Sequence, residues 1–215
     1  MATNITEWIP RIAPTVTLCP NQIIKEAVIN TCRDFCQKTQ LWDNNALTAI
    51  DVVDGISDYV LTSALGDIVG TNAAAVDGTP ISPTTVEELD RLNTLWRQTV
   101  TARSSWYIFG MADSIKLVYE PDDDITGGLE VWVSLKPLKT ATTVEDFLYR
   151  DFERAIEDGA KGELLVIQGT PWSNLELGGY FTTKYEAARD TAKMQKFTGR
   201  TNKIMSALHN AQFFA

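Results

Sequence analysis

Histidine occurs once in this sequence, at His209, and cysteine three times, at Cys19, Cys32 and Cys36. No Ser-His-Asp or Cys-His arrangement can be built around that single imidazole. The odd cysteine count offers no even disulfide framework and no Cys-x-x-Cys pair. Cys32 and Cys36 stand one helical turn apart. No histidine or further cysteine lies near enough in sequence to complete four metal ligands, so they read as small buried thiols. No GxGxxG run and no GxxxxGKS/T run is present, hence no visible phosphate cradle. No apolar run approaches the length of a membrane span. The opening MATNITEWIP lacks both a basic and an apolar segment, and the expectation is a protein without a signal peptide, made and assembled in a cytosol.

What remains is a chain of 215 residues with enough apolar content to build one sizeable core or two small ones. Paired carboxylates such as Glu87-Glu88 and Glu157-Asp158 sit at helical positions and read as solvated faces. The triplet Asp122-Asp123-Asp124 lacks the alternating Asp-x-Asp-x-Asp-Gly pattern of a calcium loop and reads as a solvated turn. Trp96, Trp106, Tyr107, Trp132 and Trp172 are of a type that stacks on sugars, although Trp106 and Trp132 fall in strand patterns and are expected in a core. No catalytic residue, metal ligand or cofactor-binding residue is identified. The expectation is a structural or binding protein, not an enzyme.

The net charge is −9 and uneven. Residues 1–139 hold 10 basic and 18 acidic groups, whereas 184–203 carries Lys184, Arg189, Lys193, Lys196, Arg200 and Lys203 against Glu186 and Asp190. Tight DNA binding needs many phosphates neutralised together, and an acidic body does the opposite. The basic segment suits an acidic protein partner or is a solvated helix face.

Hydrophobic periodicity divides the chain. Ile24, Val28, Thr31 and Phe35 make one apolar face of a helix over 19–38 that starts at Pro20. Before it, Trp8, Ile9 and Ile12 with Pro10 and Pro14 read as an extended arm over 1–18. Residues 46–139 are strand-like, with turns at Asp54-Gly55 and Asp77-Gly78 and weak strand segments at 67–71 and 73–77. Within them, Thr85 with Glu88 forms a capping box for a short helix over 84–93. The clearest strands are 104–110, 114–121 and 128–137, and Gly127-Gly128 reads as the hairpin between the last two. After Thr142 the helical period returns. Thr143 with Asp146 resembles a capping box, and Val144, Leu148, Phe152, Ala155, Ile156, Ala160 and Leu164 form a long apolar face. Gly169-Thr170-Pro171 stops that helix. Ser173 with Glu176 caps the next, whose face runs Leu177, Phe181, Tyr185, Ala188 and Ala192. Gly178 and Gly179 near its start imply a close backbone approach. Phe35, Phe152 and Phe181 are expected to share one core.

One helix before the strands cannot bury its face alone. The simplest fold is therefore α+β. An antiparallel helical bundle from both chain ends (19–45 and 140–197) carries an inserted antiparallel β domain (46–139), followed by an extended C-terminal tail (198–215). That tail holds Ile204, Met205, Leu208, Phe213 and Phe214 beside Arg200 and Lys203. An apolar, basic and poorly self-structured segment suits folding onto a partner, with the two terminal phenylalanines as anchors. The alternative is that it folds back on its own bundle.

Four stretches carry a family resemblance. "CPNQIIKEAVINTCRDFCQKTQLW" resembles the opening helix of the head-to-tail adaptor (connector) proteins of tailed bacteriophages. "DYVLT" and "SIKLVYEPDDD" resemble that family's Tyr-x-Leu strand and its strand before a hairpin. "AIEDGAKGELLVIQGTPWSNLELGGYFTTKYEAARDTA" resembles its Gly-Ala-x-x-Leu-Leu helix, Gly-x-Pro-Trp turn and final helix. The resemblance covers about residues 17–197, leaving out the arm and the tail. It implies a virion protein assembled in the host cytoplasm, forming an oligomeric ring of about twelve copies beneath the portal. DNA would pass through the lumen without sequence-specific binding, with a tail or neck protein on the distal side and no membrane partner. Under that reading Arg200, Lys203, Ile204, Met205, Leu208, Phe213 and Phe214 dock on the portal protein. Another neck or tail-completion (stopper-like) virion protein is the alternative, and a cell-wall-active module a third.

Overall fold

The computed structural model describes residues 2–43, 45–92, 95–101, 104–110 and 113–197. Its chain is a mixed α+β protein. The first element is a strand, β1 (Ala2–Asn4), followed by a 3-10 turn (Ile5–Trp8), the short helix α1 (Ile9–Ile12) and the long helix α2 (Asn21–Thr39). These first residues are not an extended arm. Pro10 occupies a first-turn position of α1, where its missing N–H is harmless. Ile5, Trp8, Ile12 and Val16 are all buried, and the Trp8 indole donates to the Glu153 carbonyl at 3.2 Å. The four apolar side chains recur at helical spacing, and burying them outweighs leaving them on an open strand. Proline content alone pointed the other way.

Helix α2 begins after Pro20 and ends at Gln40, which adopts a left-handed conformation with φ of 52° and returns its N–H to the Cys36 carbonyl. Ile24, Val28, Thr31 and Phe35 are buried along one face.

The strands follow: β2 (Asn45–Ala46), β3 (Ile50–Val52), β4 (Asp58–Val60), β5 (Asp67–Val76) and β6 (Thr79–Pro83). Helix α3 (Val86–Leu92) and a second 3-10 turn (Trp96–Gln98) come next. The remaining strands of this part are β7 (Val100–Thr101), β8 (Trp106–Gly110), β9 (Ser114–Val118), β10 (Glu120–Pro121) and β11 (Ile125–Lys136). Thr85 caps α3 as its spacing predicts, its hydroxyl accepting the Glu88 N–H at 3.2 Å. The two weak segments at 67–71 and 73–77 are one continuous strand, β5, turned at Asp77-Gly78 into β6.

The large sheet has the order β2-β11-β5-β6-β8-β9-β4, with β3 also on β11. It is not wholly antiparallel, because β6 and β8 run parallel, as do the small strands β7 and β10. A parallel pair needs a crossover, and the segment containing α3 supplies it. Nor do β9 and β11 form a hairpin: β11 pairs with β2, β3 and β5, whereas β9 pairs with β4 and β8. Gly127, with φ of 61°, lies inside β11, where the register with β3 shifts. That glycine serves a bulge, not a turn.

Six inter-strand spacings of about 4.8 Å separate β3 from β4, about 29 Å in a flat sheet. The link from Val52 to Asp58 spans at most about 21 Å. The sheet therefore has to curl. Across the gap the Tyr59 hydroxyl donates to the Ile56 carbonyl at 2.6 Å and accepts the Val53 N–H at 3.1 Å. Val52, Tyr59, Tyr107, Leu117, Leu129, Val133 and Leu135 fill the inside of the curl.

Strand β12 (Thr143–Glu145) pairs with β1, and α4 (Asp146–Leu165) and α5 (Leu175–Phe197) complete the described residues. Thr143 does not cap α4: it faces Asn4 in the β1–β12 ribbon, and Thr3 donates to the Asp146 carboxylate at 2.9 Å instead. At α5 the cap falls one residue beyond Ser173, on Asn174, whose side chain accepts the Leu177 N–H at 3.0 Å. A second core joins α2, α4, α5 and the N-terminal turns. Phe35 is buried in it, its ring centroid 4.8 Å from that of Phe152, and Phe181 packs against the same cluster. Glycines let these helices approach. A Cβ on Gly159 would strike Thr31 of α2 and Tyr185 of α5, and one on Gly178 would meet Val166 at 2.9 Å. Gly179, by contrast, faces open space.

Candidate functional site

The seven residues expected to dock on a partner, Arg200, Lys203, Ile204, Met205, Leu208, Phe213 and Phe214, lie outside the described residues, as does His209. The described part of the basic C-terminal segment turns three of its cations inward. Lys184 stands 3.7 Å from Asp158 of α4, Arg189 3.6 Å from Asp34 of α2, and Lys196 3.4 Å from Asp43. Lys196 also donates to the Gln40 carbonyl at the end of α2. These pairs reach solvent and contribute about 0–1 kcal/mol each. Their effect is to seat α5, and they leave less of the segment for an outside partner than its charge suggested.

Between α2, α4 and α5 lies a cavity of about 310 Å³ bordered by Asn30, Asp34, Glu163, Thr182 and Tyr185. The Tyr185 hydroxyl donates to Asp34 Oδ2 at 2.8 Å, and the Asn30 amide donates to Glu163 Oε1 at 2.9 Å. Burial and the Asp34 carboxylate push the Tyr185 phenol far above its ordinary value, so it stays protonated. Burial also raises Glu163, an effect that Asn30 opposes and Asp34 reinforces. Each polar group already has a protein partner. This network joins helices and offers no activated nucleophile.

Several other chemistry-bearing residues are likewise engaged. Glu157 holds Lys161 at 2.6 Å, and the neighbouring Asp158 is raised mainly by burial. Glu88 accepts from Thr84. Asp124 accepts the Asp54 N–H at 2.8 Å. Cys32 and Cys36 are buried, and burial pushes the Cys36 thiol up to about 12. Among the described residues no group of three or more His, Cys, Asp or Glu is placed to hold a metal ion. None of their helices is long and apolar enough to cross a membrane.

The aromatic residues do not assemble a stacking platform. Trp96 and Tyr107 are buried, and the Trp96 indole donates to Asp90 at 2.8 Å. Trp106 is half-buried against the small cluster of Leu89, Trp96 and Val118. Trp132 is half-buried on β11 rather than in a core, and Trp172 packs on the helices far along the chain.

Sequence reasoning missed a larger cavity of about 520 Å³. Its walls are the first turns of α2, carrying Gln22, Lys25 and Glu26, and the link 139–142 that leaves β11, carrying Lys139. Ile5 and Ile29 form an apolar floor. No local motif announces this groove, because its walls come from segments more than a hundred residues apart. Lys25 alone looks like any solvated helix residue.

No family model and no curated protein matches the chain.

Proposed function

We propose that the chain is a structural virion protein, a head-to-tail adaptor of a tailed bacteriophage. In this reading its helices form the antiparallel bundle of that family, with the β domain inserted between α2 and α4. About twelve copies form a ring under the portal and link the DNA-filled head to a tail or neck protein. It is not an enzyme and needs no cofactor.

The observation that carries this reading is the shared core. Helix α2, from before the strands, buries its face against α4 and α5, from after them, while the strands close on a separate core. That architecture accompanies the family-like motifs in their order, and the Gly-x-Pro-Trp stretch falls between α4 and α5. The net charge of −9 suits a wall past which DNA slides, because like charge discourages phosphate binding.

The tail 198–215 is assigned to the portal contact. The test is co-sedimentation of the full chain with purified portal rings, beside a chain ending at residue 197. The full chain is expected to co-sediment, and the shortened one to keep its melting temperature and lose binding. Equal binding by both, or no binding by the full chain, would sink the assignment. Binding to tail particles but not to portal rings would favour a stopper-like role instead.

A further inference from the structure

We infer that neighbouring copies join by an electrostatic plug. The acidic turn of one copy, Asp122-Asp123, seats in the groove between Lys25 and Lys139 of the next. The inference deepens the ring reading and rests on it.

The groove is the largest of the cavities described above, at about 520 Å³. Its floor of Ile5 and Ile29 is apolar, and its lips carry the Lys25 and Lys139 ammonium groups. Among the described residues neither lysine has an ion-pair partner, whereas many other cations of this acidic chain do. The one carboxylate on the rim, Glu26, accepts from the Gln22 amide at 3.3 Å. The rim therefore presents net positive charge, and an anionic segment is the occupant it favours.

The same chain carries that segment. Asp122 and Asp123 are exposed and have no ion pair among the described residues. Their turn is held in shape from both sides: Asp124 accepts the Asp54 N–H at 2.8 Å, and Asp51 accepts the Gly127 N–H at 2.6 Å. A preshaped loop loses less entropy on docking than a loose one. A copy cannot fill its own groove, because turn and groove lie at opposite ends of β11. Its twelve residues span about 40 Å. One copy's turn must therefore enter another copy's groove. Two different surfaces meeting this way make a heterologous contact, which repeats until it closes a ring or extends a filament.

Charge reversal on the full chain tests this by sedimentation velocity. The wild type is expected to associate with rising concentration, about tenfold more weakly at high salt than at low, since both surfaces are exposed. K25E/K139E and D122K/D123K are each expected to stay monomeric with wild-type melting curves. An equimolar mixture of the two is expected to associate, because each turn then meets a groove of opposite sign. A wild type that stays monomeric, a variant that associates like wild type, or folded variants whose mixture stays monomeric would each overturn the inference. Portal co-sedimentation run in parallel separates this failure from failure of the adaptor reading. Portal binding without the predicted association pattern leaves that reading standing and removes only the plug.

Discussion

The hydroxyl of Tyr185 on α5 donates to the carboxylate of Asp34 on α2 at 2.8 Å, across 151 residues of sequence. Tyr185→Phe keeps the buried ring and removes this bond together with the longer one to the Thr31 carbonyl at 3.4 Å. Asp34 retains Arg189 at 3.6 Å and reaches solvent, so the loss belongs at the lower end for a bond to a charged group, about 1–2 kcal/mol. Urea unfolding of Tyr185→Phe, Asp34→Asn and the double variant measures it. The two single costs should not add, since both remove the same bond.

Two glycines give opposite expectations for one substitution. Gly159→Ala drives a methyl group into Thr31 and Tyr185. Overpacking of about 1–3 kcal/mol exceeds the helix-propensity gain of about 1 kcal/mol, so the variant is destabilised. Gly179→Ala meets nothing within 4 Å and should gain up to about 1 kcal/mol. Thermal melts of both side by side check the sign of each.

Phe35→Ala empties a fully buried position beside Phe152 and should cost about 3–5 kcal/mol. Phe152 is only half-buried and sits at a kink in α4, with φ of −127°. Its truncation should cost less than that of Phe35, as denaturant midpoints would report.

The thiols give a pH dependence with a definite sign. Burial, reinforced by Cys36, raises Cys32 well above 9.0, and burial raises Cys36 to about 12. Above pH 9.0 an unfolded chain releases these protons while the folded one keeps them. Unfolding free energy therefore falls as pH rises through that window, and the contribution is whole below it. Cys36→Ser should flatten the decline between about pH 9 and about pH 12. At neutral pH a thiol reagent should find Cys19 in the folded protein and all three cysteines only after denaturation.

Much of the helical half was readable from the sequence, and the reasons are local. Ile24, Val28 and Phe35 recur at helical spacing because one face is buried. Thr85 announced α3 because a capping bond spans only three residues. The errors arose where distant partners decide. Ser82 and Pro83 give no sign that β6 takes a parallel partner, Trp106–Tyr107, beyond a helix. Gly127-Gly128 looks the same in a turn and in a bulge; only the pairing of β11 with β3 distinguishes them. Pro10 suggested an extended arm, yet the buried Trp8 decides the local fold. Of the candidate surfaces, the groove at Lys25 and Lys139 exists only once the link after β11 is packed against α2. The tail residues named from sequence lie beyond those described.

Because α2 completes its core only with α4 and α5, order of synthesis becomes a physical variable. The apolar face of α2 leaves the ribosome first, yet its partners follow only after the whole β segment. At about 5–20 residues per second, the wait between Thr39 and Phe197 is about 8–30 s. During that interval the strands can close on their own core, while Val28, Cys32 and Phe35 remain without their final neighbours. The nascent chain is most exposed to wrong contacts in its first long helix, α2, and the emergence of α5 is what ends the exposure.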